Sequence, residues 1–436
     1  MQVKQLIKRI KSSDIASRLV SGAFWSIAGR VVGSGFLLLA LIGVARIVGV
    51  ETYGELSMVR STIIMFSAFA GAGIGLTASR YIALYRNTNQ TKAHEIYLIS
   101  YYFSIGFGFF IATLLFFFAP LIAERSLQAI HLTSEIRLGA IALFFIALNS
   151  AQGGVLTGLE KFKTIAVNIA LQGVVQAVLL IAGAYYFGIN GVVGGMVFGA
   201  LLLCGLHYRA IQKSIPKREL KNVKISKDTA SVLWKFSLPA ALSSILVIPV
   251  LWWCKTFVVQ QSGFKAMANY DVAEQWSLII LFIPSAIAGM VIAILSNTLA
   301  EGTAHQYKKI ININIWINAA ISIFASLILC LLAVLILRSY GVGFTDVATF
   351  RILIISTIPN AIAAVLGQVI ASKGKMWSGF MLNFLWAIWL LLLTLLFVKY
   401  LDYGAFGLAL AVLCAYILHA IFSYTYMWQK VIKSQN

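Results

Sequence analysis

The sequence predicts an all-α integral membrane protein of twelve transmembrane helices, set out as two successive groups of six. Three observations predict it. Of the 436 residues, 60% are hydrophobic and only 11% are charged, where a soluble chain of this length carries about 25% charged residues. The apolar residues gather in runs of about 20 or more, the length a helix needs to cross a hydrocarbon core. The longest basic segment, QKSIPKRELKNVKISKD at 212–228, falls after the sixth run and before the seventh.

The runs are 20–45, 56–79, 96–121, 136–158, 164–187 and 190–211, then 230–254, 272–298, 311–337, 347–371, 376–399 and 404–427. They lack the short alternating pattern of membrane barrel strands. Residues 1–18 read as a basic amphipathic segment, with Val3, Leu6, Ile7 and Ile10 on one face, suited to lying on an anionic cytoplasmic leaflet. The first run is too long, and followed by too many others, for a cleavable signal peptide. Residues 19–211 then form an N-terminal lobe, 212–228 a basic linker and 229–436 a C-terminal lobe. Pro239 and Pro249 are expected to bend the seventh span, since each removes a backbone donor and crowds the preceding turn.

Lysine and arginine set the orientation. With the N-terminus inside, most of the 34 lie in cytoplasmic segments; only Arg46, Arg125, Arg137, Lys265, Arg338, Arg351 and Lys399 fall outside. Both termini are therefore expected to be cytoplasmic. The net charge of +20 is accounted for by this dispersal over cytoplasmic loops, so nucleic acid is excluded as a partner. Cys204, Cys254, Cys330 and Cys414 stand singly in apolar stretches and the five histidines do not cluster, so no metal, cofactor or disulfide framework is expected. The sequon NQT (89–91) lies on the cytoplasmic side and is not read as a glycosylation site. GAGIG (71–75) follows no strand and is read as close helix packing rather than a phosphate loop.

The two halves match weakly but in order. FWSIAGR (24–30) parallels LWKFSLP (233–239), with Trp25 over Trp234, and at that offset Arg46 falls on Lys255. LNSAQGGVLTG (148–158) parallels PNAIAAVLGQV (359–369) through Asn149 and Asn360. FGINGVVGG (187–195) parallels YGAFGLALA (403–411), with Gly188 over Gly404 and Gly191 over Gly407. Six spans per half give both halves one orientation, so the repeats are parallel, related by an axis along the membrane normal, with a site expected between them.

SGAFWSIAGRVVGSG, GVARIVGVETYGELSMV and GAGIGLTASRYIA, all within 21–83, resemble the opening of the polysaccharide-flippase branch of the multidrug/oligosaccharidyl-lipid/polysaccharide exporter superfamily. TGLEKFK (157–163) and ANYDVAEQWSLIILFIPSAI (268–287) are similar to later segments of that family, so the resemblance covers essentially the whole chain. One departure is visible: the family often has a second proline shortly after Pro284, where this chain reads AGMVIAILSN. The resemblance implies two six-helix lobes forming a V-shaped alternating-access transporter. It also implies a function: moving undecaprenyl-pyrophosphate-linked oligosaccharide units of O-antigen, capsule or exopolysaccharide across a bacterial inner membrane, with cation coupling. A polysaccharide polymerase and a chain-length regulator are the implied protein partners, beside the membrane lipids.

Arg30 lies near the middle of span one, with Ser26, Gly33 and Ser34 around it on one face. An arginine facing lipid costs roughly 2.5–3.5 kcal/mol even on insertion scales, so such residues face a bundle interior or a wet cavity. Since the acids fall in loops or near span ends, Arg30 is read as meeting an anionic ligand; a pyrophosphate suits a guanidinium. The competing reading is an arginine bonded to carbonyls at the end of a neighbouring helix. Arg60 and Lys255 are shallower and either snorkel or touch the ligand. Asn168, Gln172 and Gln176 stripe span five, Asn360 and Gln368 share a face of span ten, and Asn149 sits in span four. These amides suit sugar hydroxyls, or equally interhelical hydrogen bonds. Asp271 and Glu274 share a face at the start of span eight and are candidates for cation coupling, the competing reading being a helix cap and dipole partner. His419 is read as a packed, neutral histidine, and Trp252 and Trp253 as part of an aromatic belt.

Two other functions are weighed. A drug or cation antiporter of the same superfamily would place acids, not Arg30, inside its N-terminal lobe. A membrane polymerase or ligase would present a large outer loop with catalytic groups, and the outer loops here are short and hold no paired carboxylates, Ser/His pair or metal cluster. A peptidoglycan-precursor flippase is a closer rival, though it typically has two further spans. Reporter fusions test the topology: a fusion at 212–228 should report a cytoplasmic location, and an external signal there would refute it.

Overall fold

The computed structural model describes residues 14–71, 73–220, 223, 225, 226, 229, 246–300, 304–373 and 375–429. The start of the amphipathic segment, Trp234, Pro239 and the seventh span before Leu246 lie outside the described residues.

Among the described residues the regular structure is helical throughout. The helices are α1 (Asp14–Gly71), α2 (Ile74–Tyr85), α3 (Gln90–Leu121), α4 (Thr133–Gly158), α5 (Phe162–Ser214) and the short α6 (Lys217–Leu220). After them come α7 (Val247–Ala300), α8 (Ala304–Tyr340), α9 (Val347–Ser372), α10 (Met376–Thr394) and α11 (Gly404–Met427). Wide π-type turns extend α3 over Ile122–Ser126 and α10 over Leu395–Tyr400. Eight helices among the described residues are long and apolar enough to cross a membrane.

Three elements, α1, α5 and α7, are each two helices joined at a glycine: Gly49, Gly188 and Gly263 respectively. All three fall in gaps between the predicted spans, and the turns at Gly49 and Gly263 are tighter than the gaps 46–55 and 255–271 suggested. Gly49 (φ 81°, ψ 169°) and Gly263 (φ 76°, ψ 179°) adopt almost the same backbone conformation. That region is open essentially to glycine alone. A Cβ on either would find nothing within 4 Å, so the backbone angle and not crowding demands the residue. Pro249 is the third residue of α7, in the first turn, where a missing N–H breaks no helical bond. The part of the seventh span that Pro239 and Pro249 were expected to bend lies outside the described residues.

The chain divides into two compact units. The first comprises Met1–Val44, Thr62–Ala123 and Ile130–Ile245; the second comprises Ala45–Ser61, Glu124–Ala129 and Leu246–Asn436. In the first unit α4 is the central helix, packed by α2, α3 and α5. Close approach there needs small residues: a Cβ on Gly154 would lie 2.1 Å from the Gly75 carbonyl oxygen, which bears out close packing as the role of Gly75 in GAGIG. Ala78, Ile82, Ile96, Tyr97, Val155 and Leu156 make a core cluster where these helices meet. Outside the core, Phe117, Tyr185, Tyr186 and Phe187 are more than 70% exposed, which suits contact with lipid.

In the second unit α9 is central, packed by α7, α8 and α11. A cluster of Leu295, Tyr307, Ile311, Leu366, Val369 and Met427 closes one end. The buried Asn269 organises the other: its Oδ1 accepts from the Thr345 and Asp346 amides, both at 3.1 Å, while Asp346 caps α9 through the Thr349 amide at 2.9 Å. α4 and α9 carry Asn149 and Asn360, the residues matched in the sequence repeat, and each is 56% buried along its most apolar stretch. The matched glycines Gly188 and Gly404 also agree, both with left-handed φ, at 58° and 54°.

The glycine argument predicts a stability effect. Gly263→Ala should lower the stability of the purified protein by about 1–3 kcal/mol, read by thermal unfolding. Gly106→Ala, in an open helical position, should be neutral or slightly stabilising. Equal effects of the two substitutions would refute the reading.

Candidate functional site

Arg30 sits on α1 where that helix crosses α5. Gly29 packs on the backbone of Ala166, and Gly33 packs on Ile169 and Gly173, so closely that a Cβ on Gly29 would lie 2.4 Å from the Ala166 Cα. Ser26, Arg30 and Ser34 lie on the flank of α1 that adjoins this contact, and all three are exposed. Gly33 borders the polar stripe, buried where the stripe meets the α5 contact. Among the described residues Arg30 makes no hydrogen bond or ion pair.

The same crossing carries the amides of α5. Asn168 is buried with its Nδ2 unpartnered, and Gln172 donates to Gln176. The Gln176 side chain lies over Gly199 of the returning arm of α5. Asn149 donates to the Ala200 carbonyl at 2.9 Å, a helix-to-helix bond within the first unit.

The second unit gathers charge in pairs. Arg60 Nη2 meets both carboxylate oxygens of Asp271, at 2.8 and 2.9 Å. Lys255 Nζ meets Glu274 Oε2 at 2.6 Å. Asp271 and Lys255 are buried, 2% and 7% exposed, so each charge depends on its partner for solvation. Gln275 extends the network, donating at 2.5 Å to Asp271 Oδ2 and at 2.7 Å to the Tyr53 hydroxyl. Tyr53 is fully enclosed, its ring edge-on to Tyr340 and Phe344. Asp271 and Glu274 stand two to three turns beyond Gly263 in a continuous helix, so they are not the helix cap that the sequence also suggested. Arg60 therefore does not snorkel; it is bound.

Gln368 is buried and accepts from Asn314 at 3.2 Å, while Asn318 bonds Asn314 at 2.7 Å, an amide ladder joining α8 to α9. Asn360 instead lines a cavity within the second unit, beside Asn383, Trp386, Tyr416 and His419. The structure thus brings together Arg60 with Asp271 and Lys255 with Glu274, and sets Arg30 beside the α5 amides. Asn149 and Gln368 are engaged in packing. Sequence reasoning missed Tyr53, Gln275, Asn314 and Asn383; for the last three the one signal was a polar side chain inside an apolar run, and Tyr53, in the gap between the first two runs, had none.

A family model described as "Polysaccharide biosynthesis protein" matches residues 19–299. Over 418 residues the chain is 23% identical to the EPS I polysaccharide export inner membrane protein EpsE of Ralstonia nicotianae, covering 92% of each protein. It is 22% identical over 291 residues to stage V sporulation protein B of Bacillus subtilis, covering 62% of this chain and 55% of that one. Among solved structures, a multidrug resistance MATE family transporter of the MOP superfamily in an inward-facing conformation superposes with a TM-score of 0.81 at 15% identity, over 94% of this chain and 98% of that one. A MOP superfamily transporter from Pyrococcus furiosus, described as having a binding pocket of reverse polarity, superposes with a TM-score of 0.71 at 17% identity over 96% of both chains. The fold is that of the MOP superfamily transporters, and with more than half of its length matched by the family model, the chain belongs to the polysaccharide biosynthesis protein family.

Proposed function

We propose that the protein is a flippase of the bacterial inner membrane, carrying undecaprenyl-pyrophosphate-linked oligosaccharide units of O-antigen, capsule or exopolysaccharide from the cytoplasmic to the outer face by cation-coupled alternating access. Family membership supports a role in polysaccharide assembly, and the relative named for polysaccharide export supports an inner-membrane location. Divided at Gly49, Gly188 and Gly263, the helices accommodate six spans before the 212–228 linker and six after it, the two lobes such a transporter uses. The polymerase and chain-length regulator that would take up the exported units are its expected partners.

Arg30 carries the reading. Its guanidinium lies in an apolar helix, on an open face, with no carboxylate among the described residues to neutralise it. A pyrophosphate satisfies it through paired charge-assisted bonds, and Asn168, Gln172 and Gln176 at the same crossing offer donors and acceptors to the first sugar. A drug or cation antiporter remains the second reading, favoured by the MATE-family fold neighbours. It calls for a carboxylate where this chain has Arg30.

Asp271 and Glu274 are assigned to coupling. A proton or metal cation on either carboxylate would compete with Arg60 or Lys255 and release that side chain. The pairs thus double as the structural means of holding four charges in an apolar bundle.

Flipping of lipid-linked oligosaccharide by purified protein in liposomes, normalised to folded protein, tests the Arg30 assignment. Loss of charge-assisted bonds worth about 1.5–3 kcal/mol predicts about a ten- to hundredfold slower rate for Arg30→Ala. Arg30→Lys should retain part of the activity, since it keeps the charge without the planar fork. A normal rate for Arg30→Ala, at normal protein level, would sink the anionic-cargo reading.

The ion pair yields a separate prediction. Asp271→Asn should destabilise the protein by about 3–5 kcal/mol by stranding Arg60, and adding Arg60→Gln should recover most of that loss. The folded double variant should lose gradient-dependent flipping. If it still responds to the gradient, Asp271 is structural only.

A further inference from the structure

We propose that the chamber beside Asn360 is a sugar subsite, built to take one pyranose ring of the cargo; the inference rests on the flippase reading and names where the glycan, as distinct from the pyrophosphate, is recognised. The chamber has a volume of about 210 Å³ and lies wholly within the second unit, between the start of α7 and the helices α9, α10 and α11. Its polar lining is Asn360 from α9, Asn383 and Trp386 from α10, and Tyr416 and His419 from α11. Small residues of α9, Ala363, Ala364 and Gly367, leave the room.

The chemistry of the lining selects the ligand. Among the described residues it holds no carboxylate, lysine or arginine, so these offer nothing to neutralise a phosphate or to ligate a hard cation strongly. It offers uncharged donors and acceptors in a mixture that vicinal hydroxyls, each both donor and acceptor, can match. Two of its polar atoms are buried and unpartnered: Trp386 Nε1, on a side chain 3% exposed, and His419 Nδ1. Trp386 Nε1 is a donor, and the His419 imidazole brings a nitrogen that donates or accepts according to its tautomer. The Tyr416 and Trp386 rings lie 5.4 Å apart, so this wall is held by ring packing without a ligand. Native interiors rarely leave such polar atoms dry.

Size narrows the class further. The volume exceeds the roughly 30 Å³ share of one water several times over. It falls short of the roughly 300–1,000 Å³ of pockets that enclose a drug-sized ligand. One ring of a longer glycan fits both limits.

Saturation-transfer NMR on the full-length protein in nanodiscs tests the subsite, with methyl glycosides of glucose, galactose, N-acetylglucosamine and rhamnose as probes and farnesyl pyrophosphate as a sugar-free probe of the anion site. At least one glycoside should bind. Asn383→Leu and the milder Trp386→Phe, which keeps the ring and removes the N–H, should each weaken that binding about fivefold or more, while farnesyl pyrophosphate binds as before. Binding of farnesyl pyrophosphate with no glycoside bound, or glycoside binding indifferent to both variants, overturns the subsite and leaves the flippase reading standing. If neither probe class binds, the flippase reading falls and the subsite with it. A sodium-induced rise in melting temperature that both variants abolish would assign the chamber to a cation and overturn the proposal.

Discussion

Hydrocarbon offers no partner to a polar group, and nearly every feature of this chain follows from that constraint. Backbone donors and acceptors must bond within the span, so helices occupy the apolar runs. Charges must be met by countercharges, and Arg60 with Asp271 and Lys255 with Glu274 show how: two cations and two acids become two neutral pairs inside one unit. Glu135 follows the same rule with neutral partners, accepting from Asn190 at 2.9 Å and Ser134 at 2.8 Å. The price is conformational. Tight returns between spans need backbone angles that only glycine reaches, at Gly49 and Gly263.

Much of the fold was legible because spans announce themselves by length. The apolar run 136–158 corresponds to α4 (Thr133–Gly158), and 347–371 to α9 (Val347–Ser372), within a few residues. The turns were less legible. Hydropathy falls off gradually at a hairpin, so the reading left wide gaps at 46–55 and 255–271, whereas the helices run on to single glycines. The repeat suffered from the same blur. Aligning Trp25 with Trp234 set Arg46 over Lys255, yet the equivalent turns at Gly49 and Gly263 set Arg46 over Gln260 instead. Glycines constrained by conformation are better markers of register than apolar or basic side chains, which many positions tolerate.

The site was legible in its residue types and much less in its pairings. Every charge now found in the ion-pair network was picked out from sequence as out of place, but Arg60 and Lys255 were assigned to cargo and Asp271 and Glu274 to cations, as separate groups. Arg60 and Asp271 are 211 positions apart, and no local spacing rule reaches across such a distance. The i, i+3 relation of Asp271 to Glu274 was readable; which cation each would find was not. Similarly, Asn314 and Gln368 lie on different helices, and only their contact reveals that Gln368 serves packing.

Pairing also separates the cations by role. A charge that the fold itself neutralises is available to a ligand only if the fold gives it up, which suits Arg60 and Lys255 to switching. A charge the fold leaves open needs no such release, and Arg30 is of this kind: Gly29 and Gly33 pack α1 against α5, and the guanidinium stands exposed on the flank beside that contact. The sequence shows the same logic in composition. Each glycine next to Arg30 lowers helix propensity, a loss tolerable only where backbone contact repays it, and that contact is what orients the arginine. Small residues and a lone cation on adjoining strips of one helix therefore form a single device, in which packing fixes where the charge stands.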